Sequence, residues 1–457
     1  MPRVTADLLR RYDRPGPRYT SYPTAVEFHD GVGADAYAEH LARAAAVDAP
    51  LSFYLHLPFC EERCLFCGCN VVITKKREVE RRYLGILRRE IRDAAGRLGT
   101  RRRLSQYHWG GGTPTYLAPD EMRELQRVVT GEFTIDPGAE VAIEIDPRVT
   151  TPEHMDAIRE LGFNRLSMGV QDFTPKVQEA VNRVQSFEQT RDLVALARRL
   201  GIGSINIDLI YGLPHQTPDT FQETLDRVVS IRPERVAVYS FAHVPWLKGQ
   251  QRKLEPEALP PPAVKLDLFA RAVDSFRGAG YLSIGMDHFA LPEDEMGRAL
   301  ADGTLWRNFM GYTVKHAPDM VACGVSGIGD VAGAYFQNRK VLKEYEEAVE
   351  AGRLPVERGY RLTADDRIRR HLITSLMCTF RIDLPDVERR FGIRFDDAFA
   401  REREALRPFE ADGFVRVTPD RVEVLGDGRL FVRNVCMVFD AHLAKHAGDK
   451  PRFSRTV

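Results

Sequence analysis

The chain has 457 residues, with 65 Lys and Arg set against 65 Asp and Glu, so its formal net charge is zero. That balance gives no electrostatic footprint for nucleic acid, and 44% hydrophobic with 28% charged residues describes an ordinary globular chain. The opening "MPRVTADLLRRYDRPGPRYTSYPTA" has no apolar signal core, and no run of roughly 18 apolar residues occurs, so neither secretion nor a membrane span is expected.

Residues 1–50 read as an irregular arm, because "RPGPRYTSYPTA" (14–25) carries three prolines and a glycine. From residue 51 a beat sets in. β-rich runs at 51–57, 105–111, 140–146, 164–170, 204–211, 235–241 and 281–286 alternate with helix-like stretches at 79–95, 119–129, 152–161, 187–200 and 220–231. Strand–helix alternation at this spacing predicts parallel βα units and a partial TIM-like (β/α)6 barrel. A flat doubly wound sheet stays open as an alternative, because periodicity does not report closure. "EPEALPPPAV" (255–264) reads as a loop ahead of a helix, and 311–333 as irregular and Gly-rich. Helices are expected at 364–380 and 386–391. "GFVRVTPDRVEVLGDGRLFVRNV" then has a hairpin pattern that turns near Pro419 and Asp420. The expected division is an arm (1–50), a barrel (51–360) and a small helical or winged-helix-like C-terminal domain (361–457).

Seven cysteines, four of them inside "PFCEERCLFCGCN" (58–70), argue against a secreted disulfide framework and for a reducing cytoplasm. A zinc site would pair two close cysteines with two remote ligands, and no second pair follows. The spacing of Cys60, Cys64 and Cys67 suits an iron–sulfur cube instead: three soft thiolates hold three irons and leave one open for chemistry. Active sites of parallel barrels lie at the C-terminal ends of the strands, and the polar features collect there. Cys60 follows the first strand, "GGGTP" (110–114) ends the second, and Glu144 and Asp146 end the third. Gln171 and Asp172 follow the fourth, Asp208 lies late in the fifth, and Ala242 and His243 follow the sixth.

Each feature also has a plainer reading. "GGGTP" alone is a tight turn, Glu144 a surface carboxylate and Asp208 a satisfied core polar group. His56, His108, His243 and His288 read as packed histidines, Cys323, Cys378 and Cys436 as small buried residues, and Arg101 to Arg103 as a solvated loop.

Together the motifs carry a resemblance. "CEERCLFC" is similar to the CxxxCxxC signature of the radical S-adenosylmethionine enzymes. "YLHLPFCEERCLFCGCN", "HWGGGTPTYL", "EIDPR", "GFNRLSMGVQDF", "VNRVQ", "NIDLIYGLPHQT" and "GMDHFA" closely resemble the oxygen-independent coproporphyrinogen III oxidases, over nearly the whole chain from about residue 14 to "RNVCMVFD". The resemblance implies that Cys60, Cys64 and Cys67 ligate a 4Fe–4S cluster whose remaining iron binds S-adenosylmethionine. It implies two such cofactor molecules. Tyr54, Gly111, Glu144 and Ile328 would contact the first, and Phe66, Gly112, Thr113, Gln171, Arg183, Asp208 and Ala242 the second.

The implied reaction uses a 5′-deoxyadenosyl radical to take a β-hydrogen from a propionate of coproporphyrinogen III. Loss of CO2 and an electron leaves a vinyl group, and two such steps give protoporphyrinogen IX in haem synthesis. Cys69 and Tyr54 are the candidate catalytic residues, with Cys69 expected beside the second cofactor or the substrate rather than on the cluster. Four substrate carboxylates call for cations: Arg18 first, then Lys315 and Arg339. The implied partners are a flavodoxin- or ferredoxin-like electron donor and an unnamed electron acceptor; the chain is expected to be monomeric and to bind no nucleic acid. The alternative is a haem-binding chaperone on the same fold, against which Cys69 and the "RYTSYPTA" arm both argue. Another radical enzyme, such as a methyltransferase, fits "RYTSYPTA" and "GMDHFA" less well.

Overall fold

The structure is a computed structural model that describes residues 6–446, 453, 455 and 456. Strands β1 (Leu51–Leu57), β2 (Arg103–Gly111), β3 (Thr134–Ile145), β4 (Arg165–Gln171), β5 (Ser204–Tyr211) and β6 (Arg235–Ser240) lie side by side in that order, all parallel. Helices Arg77–Arg97, Pro119–Glu132, Pro152–Glu160, Phe187–Arg199 and Pro218–Ile231 return the chain between them. Local chemistry starts several of these helices. Thr151, Ser186 and Thr217 accept a hydrogen bond from the amide three residues on, and Pro152 and Pro218 take the first helical position.

Further strands extend both edges: β7 (Leu282–Gly285), β8 (His288–Ala290), β9 (Met320–Cys323), β10 (Ile328–Val331), β11 (Ala334–Asn338) and β12 (Val356–Arg361). The result is one twelve-stranded sheet, β12-β11-β10-β9-β1-β2-β3-β4-β5-β6-β8-β7, whose two end strands do not pair. The barrel is therefore open. The expectation that 311–333 is irregular is corrected here: β9 runs parallel to β1, with Ser52 opposite Met320 and Leu55 opposite Cys323. Strands this short carry no readable alternation.

Alternation along the parallel strands separates two environments. Phe53, Leu55, Tyr107, Trp109, Ile143, Met168, Ile207 and Val238 are fully or almost fully buried against the helices. Their sequence neighbours Gln106, His108, Glu140, Glu144, Ser167, Asn206, Asp208 and Tyr239 line the lumen. Parallel strands covered on both faces are usually apolar throughout, so a polar lumen is a departure that calls for polar occupants. At its N-terminal end the lumen is closed by a network: Ser52 Oγ donates to Gln106 Oε1 (2.7 Å), Gln106 Nε2 to Glu140 Oε1 (3.1 Å), and Thr313 Oγ1 to Glu140 Oε2 (3.1 Å).

The arm is more ordered than its composition suggests. Ala34–Ala45 is a helix that buries Tyr37, Leu41 and Ala44, correcting the irregular reading of the first fifty residues. Arg101 is buried rather than solvated: it donates to Ala44 O and Ala49 O (both 2.8 Å) and pairs with Asp319 (2.5 Å). Around residues 12–22 the arm lies between the C-terminal segment and the sheet. Tyr19 Oη donates to Asp440 Oδ2 (2.9 Å), the buried Arg433 donates to Pro17 O (2.9 Å) and to Gly16 O, and Arg18 pairs with Asp287.

After residue 361 come helix Ala364–Thr379, a three-stranded antiparallel sheet and helix Val432–Val438. The hairpin covers only Val415–Val417 and Arg421–Val424, and the "RLFVRNV" end of that pattern is helical. Cys323, Cys378 and Cys436 are buried, as their reading expected.

Candidate active site

The loop after β1 places Cys60, Cys64, Cys67 and Cys69 around one cavity of about 180 Å³ at the C-terminal ends of the parallel strands. Phe66, Gly111, Gly112, Thr113, Glu144, Gln171, Arg183 and Asp208 line the same cavity. Glu144, Ser167 and Asp208 also line the lumen below, so the two spaces share a wall. All seven cysteines are free. Among the described residues no three His, Cys, Asp or Glu side chains converge on a point where a single ion could sit.

Each thiol meets a different environment. Cys60 Sγ lies 3.5 Å from Thr113 Oγ1, and burial pushes this thiol up to about 11. Cys64 Sγ accepts from Arg148 Nη2 and Arg183 Nη1, both at 3.6 Å. Asp146 holds these two arginines, at 2.7 and 3.0 Å. Burial pushes Asp146 up, but Arg183 and Arg148 outweigh it and keep it ionised. Arg183 thus already pairs with Asp146 and donates to Cys64 Sγ and Gly169 O. Two cations sit over the sulfur of one candidate ligand.

Cys69 is exposed, and its amide donates to Cys67 Sγ at 3.4 Å. Hydrogen bonding from Cys69 holds the Cys67 thiol below its ordinary value against burial, with Lys248 and Arg63 adding.

The glycine run has a packing cause. A Cβ on Gly112 would stand 2.6 Å from the Pro58 backbone, one on Gly111 2.7 Å from His56, and one on Gly110 2.8 Å from Glu144 Oε1. These glycines let the Cys loop, His56 and Glu144 close on the end of β2. The Gly111 amide then donates to Glu144 Oε2 at 3.2 Å.

Tyr54, Ala242 and Ile328 lie outside the cavity lining. Tyr54 joins it through two histidines that sequence reasoning set aside. His56 Nε2 lies 3.0 Å from Asn70 O and its Nδ1 3.1 Å from Tyr54 Oη. A carbonyl can only accept, so Nε2 carries the proton and Nδ1 accepts from the phenol. Burial holds the His56 imidazole neutral, below its ordinary value. Tyr54 also stacks on His108, whose Nε2 lies 3.4 Å from Glu144 Oε1. Ala242 is linked through the buried Gln251, which donates to Ala242 O (3.1 Å) and Phe66 O (3.4 Å). Its neighbours Lys248 and Gln250 donate to Gly68 O and Cys67 O. No motif announced this clamp on the cysteine loop. Ile328 packs in a separate apolar cluster with Phe28, Phe309 and Tyr335.

Two features fit a polar cofactor. Gln171 sits at φ 69°, in the left-handed region that side chains rarely adopt, and its Oε1 is buried with no hydrogen-bond partner among the described residues. Asp208 accepts from Asn206 (2.8 Å) and Ser167 (3.3 Å), and burial with Glu144 nearby pushes it up to about 7. Carboxylates and a bare carbonyl oxygen are acceptors suited to hydroxyl and ammonium groups. The three thiols, the cations behind Cys64 and these acceptors fit an iron–sulfur cluster with a nucleoside-bearing amino acid beside it.

Known proteins match from end to end. The Radical SAM superfamily model covers residues 54–228 and the HemN C-terminal domain model residues 362–431. The oxygen-independent coproporphyrinogen III oxidase of Pseudomonas aeruginosa is 45% identical over 457 residues, 100% of this chain and 99% of its own. That of Escherichia coli K12 is 44% identical over 450 residues, 98% of each chain. The solved structure of the E. coli enzyme, described as a radical SAM enzyme, superposes with a TM-score of 0.90 over 93% of this chain and 97% of its own.

Proposed function

This chain belongs to the oxygen-independent coproporphyrinogen III oxidases, and from that footing we propose how its residues divide the work. It is a radical S-adenosylmethionine oxidoreductase that converts two propionate side chains of coproporphyrinogen III into vinyl groups, giving protoporphyrinogen IX. A 4Fe–4S cluster and S-adenosylmethionine supply, when bound, the one-electron cleavage that starts hydrogen abstraction.

Cys60, Cys64 and Cys67 would hold the cluster. Arg148 and Arg183, fixed by Asp146, would hold the Cys64 sulfur in place by hydrogen bonds. The three-point clamp of Lys248, Gln250 and Gln251 holds the loop at the strand ends. Glu144, Gln171 and Asp208 accept hydrogen bonds from S-adenosylmethionine, of which two molecules are proposed. Phe66, Gly111, Gly112, Thr113 and Arg183 shape the walls, Tyr54 and Ala242 are tied to them through His56, His108 and Gln251, and Ile328, in its own apolar cluster, is retained as a contact of the first cofactor only by the family resemblance. Asp208, at about 7, can donate as well as accept near neutral pH. Tyr54, the second candidate catalytic residue, is held by His56, to which it donates its phenolic proton. Cys69, beside Cys67 yet exposed, is the thiol left for chemistry with substrate.

One observation carries this reading: the four-cysteine cavity and the polar lumen share a wall, so hydrogen abstraction and a carboxylated substrate meet in one place. Reconstitution without oxygen, then addition of dithionite, S-adenosylmethionine and coproporphyrinogen III, tests it. Protoporphyrinogen with 5′-deoxyadenosine is the expected outcome; tight haem binding without decarboxylation would favour the chaperone instead.

Cys60 also borders a cavity of about 380 Å³ that shares no lining residue with the lumen. This supports docking of a flavodoxin- or ferredoxin-like donor near that ligand, with a separate acceptor for the electrons withdrawn from substrate. Among the described residues no helix is long and apolar enough to cross a membrane. A cytoplasmic, monomeric enzyme is proposed, supported by the free thiols and checked by fractionation and size-exclusion chromatography.

A further inference from the structure

Arg307 is 7% exposed, yet it forms no hydrogen bond or ion pair with any described residue, and its Nε and Nη1 are buried without a partner. Nearby cations are already committed: Arg18 to Asp287 and Arg370 to Asp330. The guanidinium of Arg307 stands 4.5 Å from the ring centroid of Tyr312, its partner in a separate two-stranded hairpin of Trp306–Asn308 and Gly311–Thr313. A ring face offsets only part of the cost of taking a cation out of water, so a buried guanidinium with free donors is built for an anion.

The surroundings say which way it faces. Tyr312 lines the lumen together with His288 and Tyr239. The His288 ring meets both of theirs, at 5.1 and 5.8 Å. Burial, with Arg307 and Arg18 adding, holds His288 below its ordinary value against the pull of Asp287, so both arginines are felt there. Arg307 itself is not part of the lumen lining: behind Tyr312 it borders a small enclosed cavity of about 40 Å³ between the arm, the 306–313 hairpin and helix Ala364–Thr379, near Tyr22, His316 and Arg370. That space holds a carboxylate, not a tetrapyrrole ring.

We infer that Arg307 anchors one propionate carboxylate of the substrate in this small cavity beside Tyr312, with the tetrapyrrole in the lumen, through N–H groups that no protein carboxylate occupies. The inference rests on the oxidase reading above. A planar fork with free donors matches a carboxylate bidentately. The anchor would fix which side chains reach the cysteine end, and a fully esterified substrate would lose it. The other carboxylate that could enter is the one on S-adenosylmethionine, and the test separates the two.

Arg307→Met and Arg307→Lys are loaded with iron and sulfide, and iron content and visible spectrum confirm an intact site. Coproporphyrin III, the fluorescent oxidised form, is then titrated against each, and KM is measured for coproporphyrinogen III and for S-adenosylmethionine separately. Arg307→Met is expected to weaken porphyrin binding and raise the KM for coproporphyrinogen III by roughly 10- to 100-fold. Arg307→Lys should show a smaller rise, and the KM for S-adenosylmethionine should not move. Wild-type affinity for coproporphyrin III in either variant, or a shift confined to S-adenosylmethionine, overturns the inference. If Arg307→Met fails to fold, Arg307→Lys decides alone. Should wild-type protein make no protoporphyrinogen, the oxidase reading has failed, while the titration, which needs no turnover, still reports on Arg307.

Discussion

Arg18 and Asp287 meet at two points, Nη1 to Oδ2 at 2.7 Å and Nη2 to Oδ1 at 3.0 Å, and so fasten the arm to the loop between β7 and β8. The Arg18 guanidinium also lies 5.0 Å from the ring centroid of Tyr239. Arg18 therefore holds a carboxylate, as its sequence position suggested, but that carboxylate belongs to the protein. Arg18→Ala leaves Asp287, 6% exposed, with His288 alone. A loss of about 1–3 kcal/mol in unfolding free energy is expected, with faster trypsin cleavage within 13–25. Unchanged stability together with a raised KM for coproporphyrinogen III would return Arg18 to the role of substrate anchor.

Cys69 separates ligand from reagent. Cys69→Ser should keep the iron content and EPR signal of wild type and lose turnover, whereas Cys64→Ser should lose iron. Iron loss in Cys69→Ser would make Cys69 a ligand.

The glycines at the end of β2 predict a graded pair. At Gly112 the added methyl meets the backbone of Pro58 and Phe59, which cannot give way without moving the cysteine loop. At Gly110 it meets the Glu144 carboxylate, the end of a flexible side chain. Overpacking of this kind typically costs about 1–3 kcal/mol. Gly112→Ala should therefore reduce iron loading severely and Gly110→Ala mildly, as measured by iron per chain after reconstitution.

Asp208 gives a pH signature. Burial first, then Glu144, raises it from 3.8 to about 7. An acid with a raised folded-state value binds a proton on folding, so its contribution falls as pH rises from about 4 to about 7 and is flat above. The steepest slope for one group is about 1.4 kcal/mol per pH unit. Asp208→Asn should thus gain on wild type in unfolding free energy across that window, in protein free of cofactor. A difference independent of pH would place Asp208 in the ordinary carboxylate range. Glu90, also raised to about 7 by burial, contributes with the same sign in both proteins and cancels.

The strand–helix beat and the rim of strand ends were legible because each is a repeated local pattern. Ala34–Ala45 was missed because Tyr37 and Leu41 are the only large apolar side chains on its buried face. The four-residue strands β9 and β10 are too short to alternate visibly, and only their partners make them strands. The cysteine loop announced itself by spacing. His56, Gln251 and Arg307 could not, since each acts through contacts that only the fold creates. One signal stood in the sequence unread: in "SINID" Ser204, Asn206 and Asp208 recur at every second position of a strand whose other face, Ile205 and Ile207, is apolar.

Because the apolar side chains face the helices and the polar ones face inward, the layer that keeps this protein folded is not the layer that selects what it binds. Lumen positions such as Ser167 and Asn206 can be exchanged without opening a void beneath Phe53 or Trp109. Substrate choice in such an architecture can therefore drift, or be redesigned, while thermal tolerance stays nearly fixed, which a barrel filled with interlocking aliphatic layers would not allow.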